Sequence, residues 1–553
     1  MTPSSISPSV KLPLSWLFFI MAPQLAGVVI SWESYDASSL LFNLMWLLFA
    51  CSSVSLFLGR AAVILISVTC AFLGLSELLH WLALDGPISI PSIYVVLESN
   101  LEETESFSAA HFSPLEGAVV FLYVVIGAYL LKAHTRLSID TGLSPKNAKR
   151  YMLAFSLLIG YRTYTGHSHE VYPSTLYALA LYQQQMSAYR EAAEQQKAGE
   201  RRVEAQALSP GERETLVLVI GESTNRHRMS LYGYHRQTSP RLEALRSELS
   251  IFTDVVSSHS NTRDSLQHAL TTLEVGAQMD FYEAASVIQL AQAAGYEVHW
   301  ISNQVPIGVW DNVISVMAST ANTTTFVNMT GTSKKALASY SYDEKVLPHL
   351  AHRLTSSAEK KLIIVHLLGA HSTYAKRYPA RFDRFKPDHL LRQSDRMYAA
   401  YDNALLYNDH VIAEVIELAR QSDVPGAPHA VAMLYFADHG EEVYDVEHYH
   451  GHAWTQLTAH MVDVPFLVWM SDTWRKTRPE DEARVRSAQG RSFMLDQLIH
   501  PLLTLLRVRF SGYDPHRDVL SPEYQPQRRV VHGVDYDDLR VKTDELRLKY
   551  SAH

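Results

Sequence analysis

The sequence predicts two architectures in one chain of 553 residues. About five α-helices crossing a membrane come first, and an α/β domain with a central, mostly parallel sheet follows. Three observations predict this. Long apolar runs crowd the first 165 residues. From about Glu212 onward, short apolar strands alternate with helical patterns, the signature of a sheet covered by helices. Two of those strands, far apart in the chain, end abruptly in carboxylate and imidazole side chains.

The apolar runs are Leu12–Trp32, Leu40–Leu58, Ala61–Leu84 and Leu115–Leu131. Each is near the length of about 20 residues that a helix needs to span a bilayer. A fifth run, Tyr151–Gly160, is short; it spans by borrowing Tyr161 to Tyr164 or lies at the interface. The first run is too long, and too soon followed by others, for a cleaved signal peptide. Basic residues set the orientation. Lys11, Arg60 and the group Lys132, Arg136, Lys146, Lys149 and Arg150 fall on one side after alternate spans, which is then cytoplasmic. Five spans put everything after about residue 165 outside the cytoplasm, and four would keep it inside.

Glu77 and His80 lie near the outer end of the third run. Ionisable groups in spans are functional candidates, and both are also placed to reach the headgroup layer. In the acidic loop from Asp85 to Pro114, Glu98 and Asn100, with Glu102 and Glu103, are candidates to hold the ammonium of a lipid headgroup; the alternative is a solvated loop helix. Residues 166–211 form a linker. Tyr172–Tyr189 suits an interfacial helix, the charged stretch to Glu204 a bridging one, and Ser209-Pro-Gly a boundary. The remaining residues, 212–553, form the second domain.

In that domain the expected strands are Thr215–Ile220, Glu297–Ser302, Leu362–Leu368, Ala430–Phe436 and Val464–Met470. The carboxyl ends of parallel strands meet in one crevice, where ligands bind. Glu222 follows the first strand, and Asp438 and His439 follow the fourth, so the three converge on one metal ion. Carboxylate with imidazole suits zinc or manganese, and nitrogen and oxygen ligands of this kind favour zinc. The net charge of −9 argues against a nucleic-acid partner, and the two cysteines, Cys51 and Cys70, sit in apolar runs.

Thr262 precedes the helical spacing of Leu266, Ala269 and Leu270. A hydroxyl at a helix start sits where N–H groups and the dipole favour phosphate, and a metal would make it nucleophilic. The plainer reading is a helix cap. The chain carries 26 histidines. His366 alternates within a strand and suits the core, whereas His371 lies past the strand end. His448, His450, His452 and His460 crowd one segment, with roles open as ligands of a second metal or as proton donors.

Several segments together resemble bacterial phosphoethanolamine transferases of the alkaline phosphatase/sulfatase superfamily. They are Gly221–Pro240, Trp300–Gln304, Ile363–His371, Tyr401–His410 and Asp438–Asp445. The similarity covers essentially the whole chain and is greatest to the CptA-like branch that modifies lipopolysaccharide-core heptose. The lipid A branch has periplasmic disulfides and a Cys-Gly-Thr at the nucleophile, where this chain has Ser260-Asn261-Thr262 and no cysteine beyond Cys70.

The resemblance implies a sulfatase-like periplasmic domain on an inner-membrane anchor. It implies phosphatidylethanolamine as donor, lipopolysaccharide as acceptor and a phosphothreonine-type intermediate. Glu222, Thr262, Asp438 and His439 match zinc ligands, with Thr262 also the nucleophile; one catalytic zinc is implied and a second left open. His371 matches a histidine at the transferred phosphate or an extra zinc. His450 and His460 both fit a further catalytic histidine, and Asn303 and Gln304 match a substrate-contacting segment. The rivals are a membrane-anchored phosphoglycerol transferase or phosphodiesterase of the same superfamily, and a non-catalytic membrane scaffold. Donor assays and zinc content separate them.

Overall fold

The computed structural model describes residues 204–551 apart from 209–212, 280, 307–311, 329–340, 390, 425–427, 447–449 and 453–456. Ahead of these it describes chiefly 71–80, 114–133 and 144–165, with scattered positions between 19 and 194. The expected runs Leu12–Trp32 and Leu40–Leu58, and with them Glu98, Asn100 and His448, lie largely or wholly outside the described residues. The chain divides into two compact units, one within Met1–Met186 and one taking Ser187–Asn328 and Tyr340–His553.

In the first unit, helix α1 is Pro114–Ala133 and α2 is Pro145–Tyr164. Ser144 caps α2, accepting from the Asn147 amide, and Pro145 opens it where its missing N–H costs nothing. The fifth apolar run is therefore part of a 20-residue helix. Phe155 and Ile159 on α2 are buried, with Trp46 and Phe49 packed against them. Phe121, Leu122, Val124, Val125, Ile126 and Tyr129 on α1 are exposed. Among the described residues no helix is long and apolar enough to cross a membrane.

The second unit is built on a seven-stranded sheet. Its strands are β1 Glu214–Gly221, β2 Leu249–Phe252, β3 Glu297–Ser302, β4 Thr323–Phe326, β5 Lys360–His366, β6 Ala430–Ala437 and β7 Phe466–Met470. Their spatial order is β2-β7-β6-β1-β5-β3-β4. β1 is parallel to both β5 and β6, β3 is parallel to β4 and β5, and β7 is antiparallel to β6 and β2. The sheet is thus mixed: β6, β1, β5, β3 and the edge strand β4 run parallel, and β7 runs against its two neighbours.

All eight residues of β1 and of β6 are buried, as parallel strands covered on both faces must be. Alternate residues feed two cores. Leu216, Leu218 and Ile220 face one, and Val217 and Val219 face the other. The 29-residue helix α4, Gln393–Gln421, packs on the second face, and helix α3, Thr262–Ala269, covers the first through Leu266 and Ala269. Register then fixes the site. Gly221 pairs with Ala437, so β1 and β6 release their next residues, Glu222 and Asp438, side by side.

Candidate active site

Glu222, Asp438 and His439 offer three ligand atoms that all lie within 4.8 Å of one another, and all three residues are buried. His439 Nε2 is 3.3 Å from Glu222 Oε1 and 3.7 Å from Asp438 Oδ2. The other ring nitrogen, Nδ1, sits 2.7 Å from the Gly440 carbonyl. A proton on Nδ1 satisfies that carbonyl and leaves the Nε2 lone pair facing the carboxylates, the tautomer a metal ligand requires.

Thr262 completes the group. Its Oγ1 donates to Glu222 Oε2 at 2.9 Å and lies 3.5 Å from His439 Nε2. It is the first residue of α3, but it does not cap that helix. Asn261 does, its Oδ1 accepting from the Asp264 amide at 3.0 Å. The hydroxyl is therefore free of the capping duty that the plainer reading gave it.

The backbone is shaped to hold these side chains. Ser223 adopts a left-handed conformation, φ 53°, which a non-glycine residue takes only when its surroundings hold it there. Its amide donates to Asp438 Oδ1 at 3.1 Å and its hydroxyl to Glu222 Oε1 at 2.8 Å. Asp438 Oδ1 also accepts from the His439 amide at 2.7 Å, while Oδ2 is buried without a hydrogen-bond partner among the described residues. A buried, unpaired carboxylate oxygen is costly. Beside an imidazole lone pair, a second carboxylate and a hydroxyl, it would suit a cation, and the four residues fit zinc.

The electrostatics agree. Burial pushes the Asp438 carboxyl well above its ordinary range, and the Glu222 charge adds to that. Burial acts the same way on Glu222, but the hydrogen bond and charge of His439 outweigh it and hold Glu222 well below its ordinary value. His439 loses proton affinity to burial and regains more from Asp438 and Glu222, reaching about 10. Without a metal, the site holds on to a proton to offset its carboxylates.

The remaining candidates divide. His371 is mostly buried beyond the end of β5, with Nδ1 3.3 Å from Ser372 Oγ. Burial lowers its proton affinity, and Glu222 is the first opposing charge. His366 is a core residue edge-on to Trp300. His450 pairs in a two-residue ribbon with Val443, and its ring stands 5.7 Å from Tyr374. His460 is not brought into this group; it meets Glu442 and Asp445 instead.

The histidine that does reach the site is His452, whose ring centre is 4.3 Å from that of His439 and whose Nδ1 is 2.8 Å from Glu441 Oε2. Sequence reasoning named His452 only as one of a crowd, and it passed over Glu441, whose position after Asp-His-Gly was the available signal. Asn303 is fully buried and committed to Ser341 and Asp343, and the Gln304 amide donates to the Leu367 carbonyl. Both therefore act here as supports of the β5 end.

The sulfatase family profile matches residues 214–508, which includes every residue of this group. Over 95% of its length the chain is 31% identical to phosphoethanolamine transferase EptC of Escherichia coli K12, covering 96% of that protein. The chain belongs to the phosphoethanolamine transferases of the sulfatase family.

A second such transferase, CptA of Salmonella typhimurium, is 32% identical over the same shares of both chains. The zinc complex of the C-terminal periplasmic domain of E. coli EptC superposes with a TM-score of 0.57 at 35% identity. It covers 62% of this chain and 97% of that one. The integral membrane transferase EptA of Neisseria meningitidis shares the fold over 94% of this chain and all of its own, with a TM-score of 0.50 at 19% identity. The chain is thus an enzyme, a phosphotransferase, on a sulfatase-like fold.

Proposed function

We propose that this transferase moves phosphoethanolamine from phosphatidylethanolamine to lipopolysaccharide, with core heptose or its phosphate as acceptor, and carries the group on Thr262 between the two halves. The observation that carries the reading is Thr262 Oγ1, set at a helix start 2.9 Å from Glu222 Oε2 and 3.5 Å from His439 Nε2. Glu222, Thr262, Asp438 and His439 would hold zinc, as the unpaired Asp438 Oδ2 and the free His439 lone pair favour. When bound, zinc supplies positive charge that makes a hydroxyl more nucleophilic and stabilises phosphoryl oxygens.

In the first half, Thr262 Oγ1 forms a bond to phosphorus and the bond to the diacylglycerol oxygen breaks. The proton of Thr262 leaves toward the neighbouring carboxylates, and diacylglycerol departs with a proton from His371, His450 or His452. In the second half, an acceptor hydroxyl attacks the same phosphorus and Thr262 recovers its proton. The free amides at the start of α3 would favour charge on the phosphoryl oxygens.

A lipid donor calls for a membrane site. We place the first 165 residues in the inner membrane and the sulfatase-like domain in the periplasm. The alignment with EptC over 95% of the chain and the fold shared with an integral membrane protein support this. So do the exposed apolar side chains of α1. Added ammonium groups would offset anionic phosphates on the cell surface and weaken its attraction for cationic peptides.

The test is peptide mass mapping of the purified protein after incubation with phosphatidylethanolamine, beside Thr262→Ala. A phosphoethanolamine adduct on Thr262, absent from the variant, is expected. Zinc-loaded protein that forms no adduct and leaves the lipid intact would overturn the donor, and a phosphoglycerol adduct from phosphatidylglycerol would replace it.

A further inference from the structure

The loop that follows β6 has a second face. Glu441 and Glu442 are neighbours in an extended segment, so their side chains point in opposite directions. Glu441 meets Tyr374 and His452 on the side of the active site. Glu442 meets Thr458 and the neighbourhood of His460 on the reverse side. There Glu442, Asp445 and His460 form another group whose ligand atoms all lie within 4.8 Å of one another.

We propose that Glu442, Asp445 and His460 hold a second divalent transition-metal ion behind the catalytic loop. Three observations carry this. The first is His460 itself, whose side chain is 8% exposed and whose Nδ1 has no hydrogen-bond partner among the described residues. It points into the group, 3.7 Å from Asp445 Oδ2 and 3.8 Å from Glu442 Oε2.

The second is the size of the gap. An imidazolium donating to a carboxylate closes to about 2.8 Å. Ligands about 2.1 Å from a tetrahedral zinc stand roughly 3.4 Å apart. The observed separations have left the range of a shared proton and need only a few tenths of an ångström to grip an ion. The third is support and access. Asp445 is oriented by Arg228, which holds it at 2.7 Å, and Glu442 by the Asp445 and Val446 amides and by Thr458. Asp445 and His460 also line a surface cavity of about 660 Å³, with His227 and Tyr398 among its walls, which admits an ion and its waters.

One imidazole and two carboxylates suit zinc. An ion here would brace the loop from behind. The backbone of His460 and Met461 packs on Gly440, next to His439, and the Gly440 amide donates to the Met461 carbonyl at 2.8 Å.

The experiment is zinc content per chain, by elemental mass spectrometry on full-length protein after gel filtration, in a Glu222→Gln background that disables the first group. One zinc is expected to remain, and adding His460→Ala or Glu442→Gln should remove it. The protein with both groups intact should carry two, and His460→Ala alone one. Circular dichroism of each variant separates loss of the ion from loss of the fold, and the milder Glu442→Gln stands in if His460→Ala unfolds. A Glu222→Gln protein without zinc, or with zinc indifferent to both additions, overturns the second site and leaves His460 as a buried ion pair. An otherwise intact protein with a single zinc, lost in His460→Ala and kept in Glu222→Gln, would instead count against the catalytic assignment, so the two readings fail separately.

Discussion

Tyr401 clamps Ser223: its hydroxyl donates to the Ser223 carbonyl at 2.6 Å and accepts from the Asn225 amide at 2.9 Å. Ser223 is the left-handed residue between Glu222 and the rest of the loop, and Tyr401 is fully buried on α4. The long helix thus reaches through one phenol to the backbone that aims Glu222 and supports Asp438. Tyr401→Phe strands a carbonyl and an amide in the interior, at about 1–3 kcal/mol of stability. Loss of such a support should also weaken zinc binding by about 10–100-fold. Thermal unfolding and a chelator competition titration check the two; a variant that melts lower yet binds zinc as before would make Tyr401 a stability residue only.

Gly369 answers a different constraint. Its φ is 53°, and a Cβ there would stand 2.6 Å from the Glu222 carbonyl oxygen and 2.8 Å from its nitrogen. Both obstacles are backbone, so neither swings aside. Gly369→Ala should cost about 2–4 kcal/mol, combining left-handed strain with overpacking. It should also displace Glu222 enough to depress transfer at least about 10-fold. Ordinary transfer rates in a soluble, folded Gly369→Ala protein would show that the Glu222 backbone has room to retreat.

Much of this was legible in the sequence, for identifiable reasons. β1 and β6 are unbroken apolar runs ending in Glu222 and Asp438-His439, so the strands and their terminal chemistry announced each other. β2 and β4 are four residues each, and Thr323-Thr-Thr-Phe carries no apolar pattern, so these edge strands escaped notice. The antiparallel course of β7 is a tertiary fact that its own residues do not encode.

The histidines were harder because spacing along a chain does not fix which face a side chain takes. His450 is pinned in a ribbon opposite Val443, and two residues later His452 turns against His439. His460 is carried round to the reverse of the same loop. The sequence matched Asn303 to a substrate-contacting segment and carried no sign of its hydrogen bond to Asp343.

The proton affinities give a pH signature. In the metal-free protein His439 is raised from its ordinary 6.5 to about 10. A group raised on folding stabilises fully below its unfolded value, and that contribution is lost as pH rises through the folded value. Zinc binding runs the other way, since it requires the His439 nitrogen free of its proton. The gap in melting temperature between zinc-loaded and chelator-treated protein should therefore widen from about pH 6.5 towards pH 9–10. Differential scanning fluorimetry across that range checks it; a gap that stays flat would mean that His439 is already neutral without metal.

Glu441 supports the site without belonging to the first metal group. One carboxylate oxygen accepts from Tyr374 at 2.5 Å, and the other lies 2.8 Å from His452 Nδ1. With Nδ1 held there, Nε2 of His452 is the nitrogen left to face a substrate or carry a proton, beside the His439 ring. Glu441→Gln keeps the size and still accepts from Tyr374, but its amide no longer fixes the His452 tautomer as an anion does. The expected outcome is a fall in kcat of about 10–100-fold with zinc content unchanged, and a shifted pH profile. His452→Ala should then cost little more when added to Glu441→Gln, because residues acting as a unit lose their effect together. Fully additive losses would separate the two residues and leave Glu441 acting through Tyr374 alone.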